Sequence, residues 1–205
     1  MKRKIISHSE AQSILTPYYE KISKAVSDGF EDYLKIANCS TDKVGFVEYE
    51  NRTKACIIHD HIKNRINEVF EDVDEVETRK WNSVFGLKIN DDLFIRFNKI
   101  NDDFSSKGRA TNQAKSYKNQ MVIDGFPDEP TLLYAGYKPD ASWTQIKGVY
   151  ISCWDGENRQ WVEEIISHRS SVQTAIPFAS PEKENQKRVK IKTDKKPEIK
   201  TGTND

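Results

Sequence analysis

The middle of the chain concentrates basic and amide side chains of the kind that bind nucleic acid. The segment from Ser105 to Ile123 contains four cations and no acidic residue. Cations contact phosphate oxygens and amides contact bases, so we expect electrostatic docking here. The alternative is a solvated loop that is balanced by the acidic stretch from Glu71 to Glu77. The candidate binding residues, which include cations of a preceding hairpin, are Lys88, Arg96, Lys99, Lys107, Arg109, Lys115 and Lys118.

Two histidines flank an aspartate in a predicted helix, a combination that suggests metal chemistry because imidazole and carboxylate are common ligands of first-row ions. Residues two apart on a helix point roughly 200° away from each other. His59 and His61 therefore cannot bind one ion, whereas zinc-binding helices space their histidines by four. Cys56 lies one helical turn before His59, which permits contact, although core packing is the commoner role of a helical cysteine. We predict structural histidines, with no metal site and no cofactor.

The predicted order of a helix, a hairpin with a terminal lysine, a helix and a strand also resembles the core of PD-(D/E)xK nucleases. Their metal chemistry needs a carboxylate two residues before the lysine of the second strand, where it holds the metal-bound water. That position is Phe97 in the sequence Phe97-Asn98-Lys99. Carboxylates could in principle come from Glu68, Glu71, Asp74, Asp91 or Asp92. A metal-dependent nuclease with a degenerate core is therefore the alternative to a non-enzymatic binding protein.

The segment from Val84 to Ile100 predicts a β-hairpin with a fixed register. Apolar residues alternate with polar ones on both sides of Asn90-Asp91-Asp92. A three-residue loop places Ile89 opposite Leu93 and keeps all the apolar side chains of the alternation on one face. The opposite face then presents Lys88, Arg96 and Asn98, either to a partner or as the ordinary solvated face of an antiparallel sheet.

The rest of the chain predicts helices before the hairpin and strands after it. Thr16-Pro17 is typical of a helix start, with Thr16 as N-cap, and the apolar stripe continues to Ile36. Ser9 and Gln12 suggest a capping box for a short preceding helix. The further predicted elements are a strand at Val44 to Tyr49, helices at Thr53 to Phe70 and Thr111 to Met121, and strands at Leu132 to Tyr137, Lys147 to Cys153 and Trp161 to Ile166.

These elements favour an α+β fold in which N-terminal amphipathic helices pack on an antiparallel sheet. With 205 residues and 36% hydrophobic content, we expect one domain over residues 1–178. Residues 179–205 are lysine-rich and nearly free of large apolar side chains, so we expect a disordered tail. Within the tail, Lys187 to Lys192 alternates cations with β-branched residues. That segment could add a strand to a partner's sheet, bind phosphates, or simply increase solubility.

Global composition limits the class of partner. Lys plus Arg and Asp plus Glu each number 32, so no net field attracts nucleic acid or a membrane, and any charge-driven partner must bind a local patch. We find no apolar run that would suit a membrane helix and no secretion signal. The three cysteines, Cys39, Cys56 and Cys153, fit no disulfide framework, and we interpret them as reduced, mostly buried thiols. We therefore expect a cytoplasmic protein.

Several short segments follow one another in an order that carries a resemblance: Asn51 to Ala55, Ile58 to Ile62, Gly86-Leu87, Arg96 to Lys99, then Gln113, Tyr117 and Gln120, then Leu133 to Tyr137. Over roughly Ile14 to Ile166 the chain resembles a family of uncharacterised bacterial and prophage proteins. That family is associated with short operons that also encode an XRE-type helix-turn-helix repressor and an ImmA-like metallopeptidase. The resemblance implies a regulatory, phage-defence or toxin-antitoxin-like setting and brings no catalytic residues.

Together these observations predict a non-enzymatic regulatory protein that binds either a regulator protein or nucleic acid through the candidate binding cations named above. The sequence predicts neither the identity of the partner nor the oligomeric state.

Overall fold

The structure is a computed structural model that describes residues 1–38, 48–106 and 111–165. Over these ranges it contains the helices α1 (His8–Leu15), α2 (Tyr19–Ala37), α3 (Asn51–Phe70) and α4 (Asn112–Lys118), with one 3-10 turn, Thr16–Tyr18, before α2. The strands are β1 (Val76–Trp81), β2 (Val84–Ile89), β3 (Leu93–Phe97), β4 (Thr131–Pro139), β5 (Ile146–Asp155) and β6 (Asn158–Glu164). N-terminal helices and one mostly antiparallel sheet confirm the predicted α+β class.

The six strands lie in the sheet in sequence order, and one pair departs from the predicted antiparallel arrangement. β3 and β4 are parallel, with Phe94 opposite Leu132 and Phe97 opposite Ala135. A parallel pair requires a long crossover connection, and residues 98–130, which include α4, provide it. The carboxyl ends of β3 and β4 therefore lie side by side at the same edge of the sheet.

The hairpin of β2 and β3 has the predicted register. Ile89 pairs with Leu93 and Leu87 pairs with Ile95, which confirms the three-residue loop. These four side chains are fully buried, and Asn90 adopts a φ of 45° in the loop, a conformation that asparagine tolerates well. Alternation of apolar and polar residues was therefore sufficient to predict the pairing of these two strands.

A second hydrophobic cluster covers the other face of the sheet, which the sequence predicted to face solvent or a partner. Helices α1 to α3 pack on the first face, where the main core lies. On the second face Phe94 is fully buried, and Lys88 and Arg96 are only partly exposed. The prediction of an open cationic face is wrong because the β3–β4 crossover packs against it. The cluster consists of Trp81, Phe94, Tyr117, Ile123, Phe126, Leu132, Tyr134 and Trp154.

The helix starts differ from their predictions in detail. The capping box of α1 uses Ser7, whose hydroxyl accepts from the Glu10 N–H while the Glu10 carboxylate accepts from the Ser7 N–H, so Ser9 and Gln12 are not the capping pair. Thr16 is not an N-cap, because it has helical φ and ψ and its hydroxyl donates to the Gln12 carbonyl. Thr111, where the sequence predicted this helix to begin, is the N-cap of α4, since its hydroxyl accepts from the Ala114 N–H.

Strand β1 was not predicted as a strand. The sequence predicted no strand between the helix that ends at Phe70 and the hairpin that begins at Val84. β1 pairs with β2 along its length and forms an edge of the sheet. Most of its side chains remain exposed or partly exposed, and Trp81 is its one buried residue. An edge strand of this kind lacks the hydrophobic alternation on which strand prediction depends.

Several predictions concern residues outside the described ranges. These are most of the strand at Val44 to Tyr49, the cations Lys107 and Arg109, and the tail at residues 179–205 with its Lys187 to Lys192 segment. Of the cysteines that the structure describes, Cys153 is buried as predicted, whereas Cys56 is exposed. Within the described ranges, every helix is too short or too polar to cross a bilayer.

Candidate anion-binding cleft

The structure separates the predicted binding cations into different surroundings. Lys88 pairs with Asp91 at 2.6 Å. Lys118 pairs with Glu157 at 2.8 Å and lies over the Trp154 ring. These two ammonium groups are therefore already neutralised by neighbouring carboxylates. Lys115 is exposed in the last turn of α4.

Arg96 and Lys99 line one cleft beside α3 at the carboxyl ends of β3 and β4, where the Arg96 side chain, which leaves β3 on the second face, reaches the end of the sheet. The cleft has a volume of about 790 Å³. α3 contributes a third cation, Arg52, and Asp60 is the one carboxylate of the lining within the described residues. We call this the cationic cleft; its lining residues are Asn51, Arg52, Ala55, Cys56, His59, Asp60, Ile62, Arg96, Asn98, Lys99, Asn101 and Tyr137.

The β3 side of the cleft is positioned by backbone hydrogen bonds that continue beyond the end of the strand. The Asn98 N–H donates to the Ala135 carbonyl at 2.9 Å, and the Ile100 N–H donates to the Tyr137 carbonyl at 2.9 Å. Lys99, which lies between these two bonds, is thereby held beside β4. Its ammonium lies 5.2 Å from the centre of the Trp143 ring, an arrangement that favours a cation.

The α3 side of the cleft is a polar stripe along the first half of the helix. Arg52, Cys56 and His59 follow one another at spacings of four and three residues, which place side chains on one helical face. The N-cap Glu50 makes no side-chain hydrogen bond, and the first turn carries no acidic residue. The acidic side chain nearest to the partial positive charge of the helix N-terminus is therefore that of the N-cap, Glu50.

Tyr137 lines the cleft and has a buried hydroxyl. The residue is 1% exposed, and its ring packs against Phe30 at a centroid distance of 5.6 Å. Among the described residues its hydroxyl has no hydrogen-bond partner. Burial raises the pKa of this phenol, so it remains a neutral donor. An unpaired buried hydroxyl costs stability of about 1 to 3 kcal/mol, which a polar ligand in the cleft would recover.

His59 adds a neutral imidazole to the cleft. Burial lowers its pKa, and the nearby Arg96 guanidinium lowers it further, although Asp60 opposes both effects. The imidazole also interacts with the backbone of Phe97. His61 does not line the cleft. His59 thus presents an uncharged polar group among the cations.

The carboxylates that the nuclease alternative requires are not gathered here. Asp91 at the hairpin tip is paired with Lys88, and Asp60 is the one carboxylate that the described residues bring to the cleft. Across the described parts of the chain, no three His, Cys, Asp or Glu side chains lie close enough together to share a metal ion.

Comparison with known proteins adds no functional information. No family model, curated protein or solved structure matches the chain significantly.

Sequence reasoning missed two contributors to the cleft. Arg52 lies just before the predicted start of the helix at Thr53 and was not among the predicted binding cations. Its spacing to Cys56 and His59 is nevertheless that of one helical face. Tyr137 lies in an apolar stretch, and no sequence pattern indicates that its hydroxyl lacks a partner. The cleft itself depends on the parallel pairing of β3 and β4, which the sequence did not predict.

Proposed function

We propose that this chain is a non-enzymatic binding protein of a bacterial or phage-related regulatory module, acting in the cytoplasm, and that it binds nucleic acid at the cationic cleft. The observation that carries the proposal is that the cations of the cleft have no carboxylate partner among the described residues. Arg52, Arg96 and Lys99 line one cleft, and no ion pair joins any of them to a carboxylate of the described residues.

Unpaired cations in a concave site attract anions more strongly than cations that are already bound to a carboxylate. A partly buried charge is less screened by water and salt than an exposed one, and Arg96 and Lys99 are both partly buried. Guanidinium groups match the geometry of phosphate oxygens and bind them through two hydrogen bonds. Asn98 in the same lining supplies the amide chemistry that contacts bases.

The test is binding of a labelled single strand, DNA or RNA, by fluorescence anisotropy over a range of salt concentrations. With three cations engaged, a plot of log K against log salt should have a negative slope with a magnitude of at most about 2. The double variant Arg96→Ala, Lys99→Ala should weaken binding and reduce the magnitude of this slope to less than about 1.

The matched control is Lys118→Ala, which also removes a cation but leaves the cleft intact. We expect it to bind as the wild type does. Absence of binding at low salt, or equal losses in the control and the double variant, would remove nucleic acid as the partner. Thermal unfolding of each variant verifies that the fold is retained.

A further inference from the structure

The shape of the cationic cleft limits which part of a nucleic acid it can receive. Its volume of about 790 Å³ lies in the range of small-molecule sites. A duplex or the middle of a strand presents phosphates along an extended path and therefore requires cations that are spread over a surface. Here Arg52, Arg96 and Lys99 line one concavity.

The net charge of the cleft lining matches a ligand group that carries two negative charges. Among the described lining residues, three cations and the carboxylate of Asp60 leave two net positive charges, with His59 neutral. A phosphomonoester carries close to two negative charges at neutral pH, whereas each phosphodiester of a strand carries one. The lining is thus electrostatically complementary to a terminal phosphate.

An independent observation comes from Tyr137, which lines the cleft. The hydroxyl of Tyr137, which is 1% exposed, is a hydrogen-bond donor without a partner among the described residues. The hydroxyl is closed to solvent, so a ligand reaches it only when neighbouring side chains move. A terminal phosphate, which has three free oxygens and only one covalent connection to the rest of the ligand, is the part of a strand best able to enter there.

From these observations we infer that the cationic cleft binds the terminal phosphate of a nucleotide, with Arg52, Arg96 and Lys99 around the phosphate and the Tyr137 hydroxyl donating to it. The inference rests on the proposed function and specifies its ligand as a phosphomonoester. The same chemistry occurs at the end of a phosphorylated strand and in a free nucleoside monophosphate, and the experiment separates these sources.

The experiment is isothermal titration calorimetry of the full chain with three probes. These are a 5′-phosphorylated single-stranded hexanucleotide, the same hexanucleotide with a 5′-hydroxyl, and AMP. We expect the phosphorylated strand to bind at least about tenfold more tightly than the hydroxyl-ended strand, since charge-assisted hydrogen bonds are involved. AMP binding as tight as that of the phosphorylated strand identifies a free nucleotide as a sufficient ligand.

Tyr137→Phe provides the discriminating variant because it removes only the unpaired hydroxyl. It should reduce the affinity for the phosphorylated strand several-fold and so reduce the preference for that strand over the hydroxyl-ended one. Lys118→Ala, outside the cleft, should leave both affinities unchanged. Loss of binding for all probes in Arg96→Ala, with its fold verified by thermal unfolding, would further support the assignment.

The outcomes distinguish this inference from the proposed function. Equal affinity for both strands overturns the terminal-phosphate site and leaves nucleic-acid binding standing. Binding of AMP without binding of either strand supports the site and overturns nucleic acid as the partner. Absence of binding for every probe overturns both.

Discussion

The carbonyl oxygen of Asn98 lies 1.6 Å from the point that a Cβ atom on residue 136 would occupy. Gly136 is therefore the residue that allows the chain after β3 to approach β4 this closely. The approach lets Asn98 and Ile100 donate hydrogen bonds to β4, and these bonds hold Lys99 beside the cleft. The backbone contact between Gly136 and Asn98 is thus the structural basis of the cationic side of the site.

Replacing Gly136 with alanine should disrupt this contact. The obstructing atom is a backbone carbonyl, which cannot rotate away, so overpacking of about 3 kcal/mol or more is expected. Chemical denaturation should show this loss in the free energy of unfolding. Gly148→Ala is the matched control, since its nearest neighbours are the ends of the Tyr150 and Glu164 side chains. If the two variants were equally stable, the close approach would not be a constraint.

Tyr137→Phe should leave the free energy of unfolding unchanged or raise it slightly. The hydroxyl that it removes has no partner among the described residues, so no hydrogen bond is lost and a desolvation cost disappears. The matched control is Tyr117→Phe, because the Tyr117 hydroxyl is also buried but donates to the Leu133 carbonyl at 2.7 Å. That variant should lose about 1 to 2 kcal/mol.

A loss of stability in Tyr137→Phe as large as that in Tyr117→Phe would show that the Tyr137 hydroxyl is bound to a group that the described residues do not include. The comparison therefore tests, without any ligand, the observation on which the terminal-phosphate inference depends.

The parts of the fold that were predictable are those in which local pattern and burial agree. The β2–β3 hairpin has one fully apolar face, so its register followed from alternation alone. The sequence did not predict strand β1 because an edge strand can remain largely exposed. The parallel direction of β3 and β4 was missed for another reason. Strand direction depends on the path of residues 98–130, and alternation does not encode that path.

The candidate site was predictable only as a set of cations. Arg96 and Lys99 were in the predicted set and do share a cleft. Lys88 and Lys118 were in the same set, but each has a carboxylate partner that comes from the folded arrangement. The sequence reveals which side chains carry charge, whereas their neutralisation depends on neighbours such as Glu157, far along the chain from Lys118. Local composition therefore does not show which of the predicted cations are paired in the folded chain.

Helix capping offers a direct test of one corrected prediction. Ser7→Ala should destabilise the protein by about 1 kcal/mol, because its hydroxyl accepts from the Glu10 N–H at the start of α1. Ser9→Ala should have almost no effect, since Ser9 is exposed and lies inside the helix. The measurement is the free energy of unfolding from urea titration. A larger loss at Ser9 than at Ser7 would restore the capping box that the sequence suggested.

The pKa of His59 predicts how stability depends on pH. Burial lowers this pKa below the ordinary value of 6.5. Arg96 and Lys63 act in the same direction, and Asp60 and the Phe97 backbone oppose it. Because the unfolded chain then binds the proton more readily, the contribution of His59 to stability is complete above about pH 6.5 and is lost as the pH falls towards the folded pKa.

His59→Gln removes this titration while keeping a polar side chain of similar length. The melting temperature of the wild type should therefore fall relative to that of the variant between pH 7.5 and pH 5. The control His61→Gln makes the same exchange outside the cleft and keeps His59, so it should retain the loss on the acid side. If the difference in melting temperature between the wild type and His59→Gln stayed constant over this pH range, His59 would not be desolvated. The cleft would then be more open to water than its lining indicates.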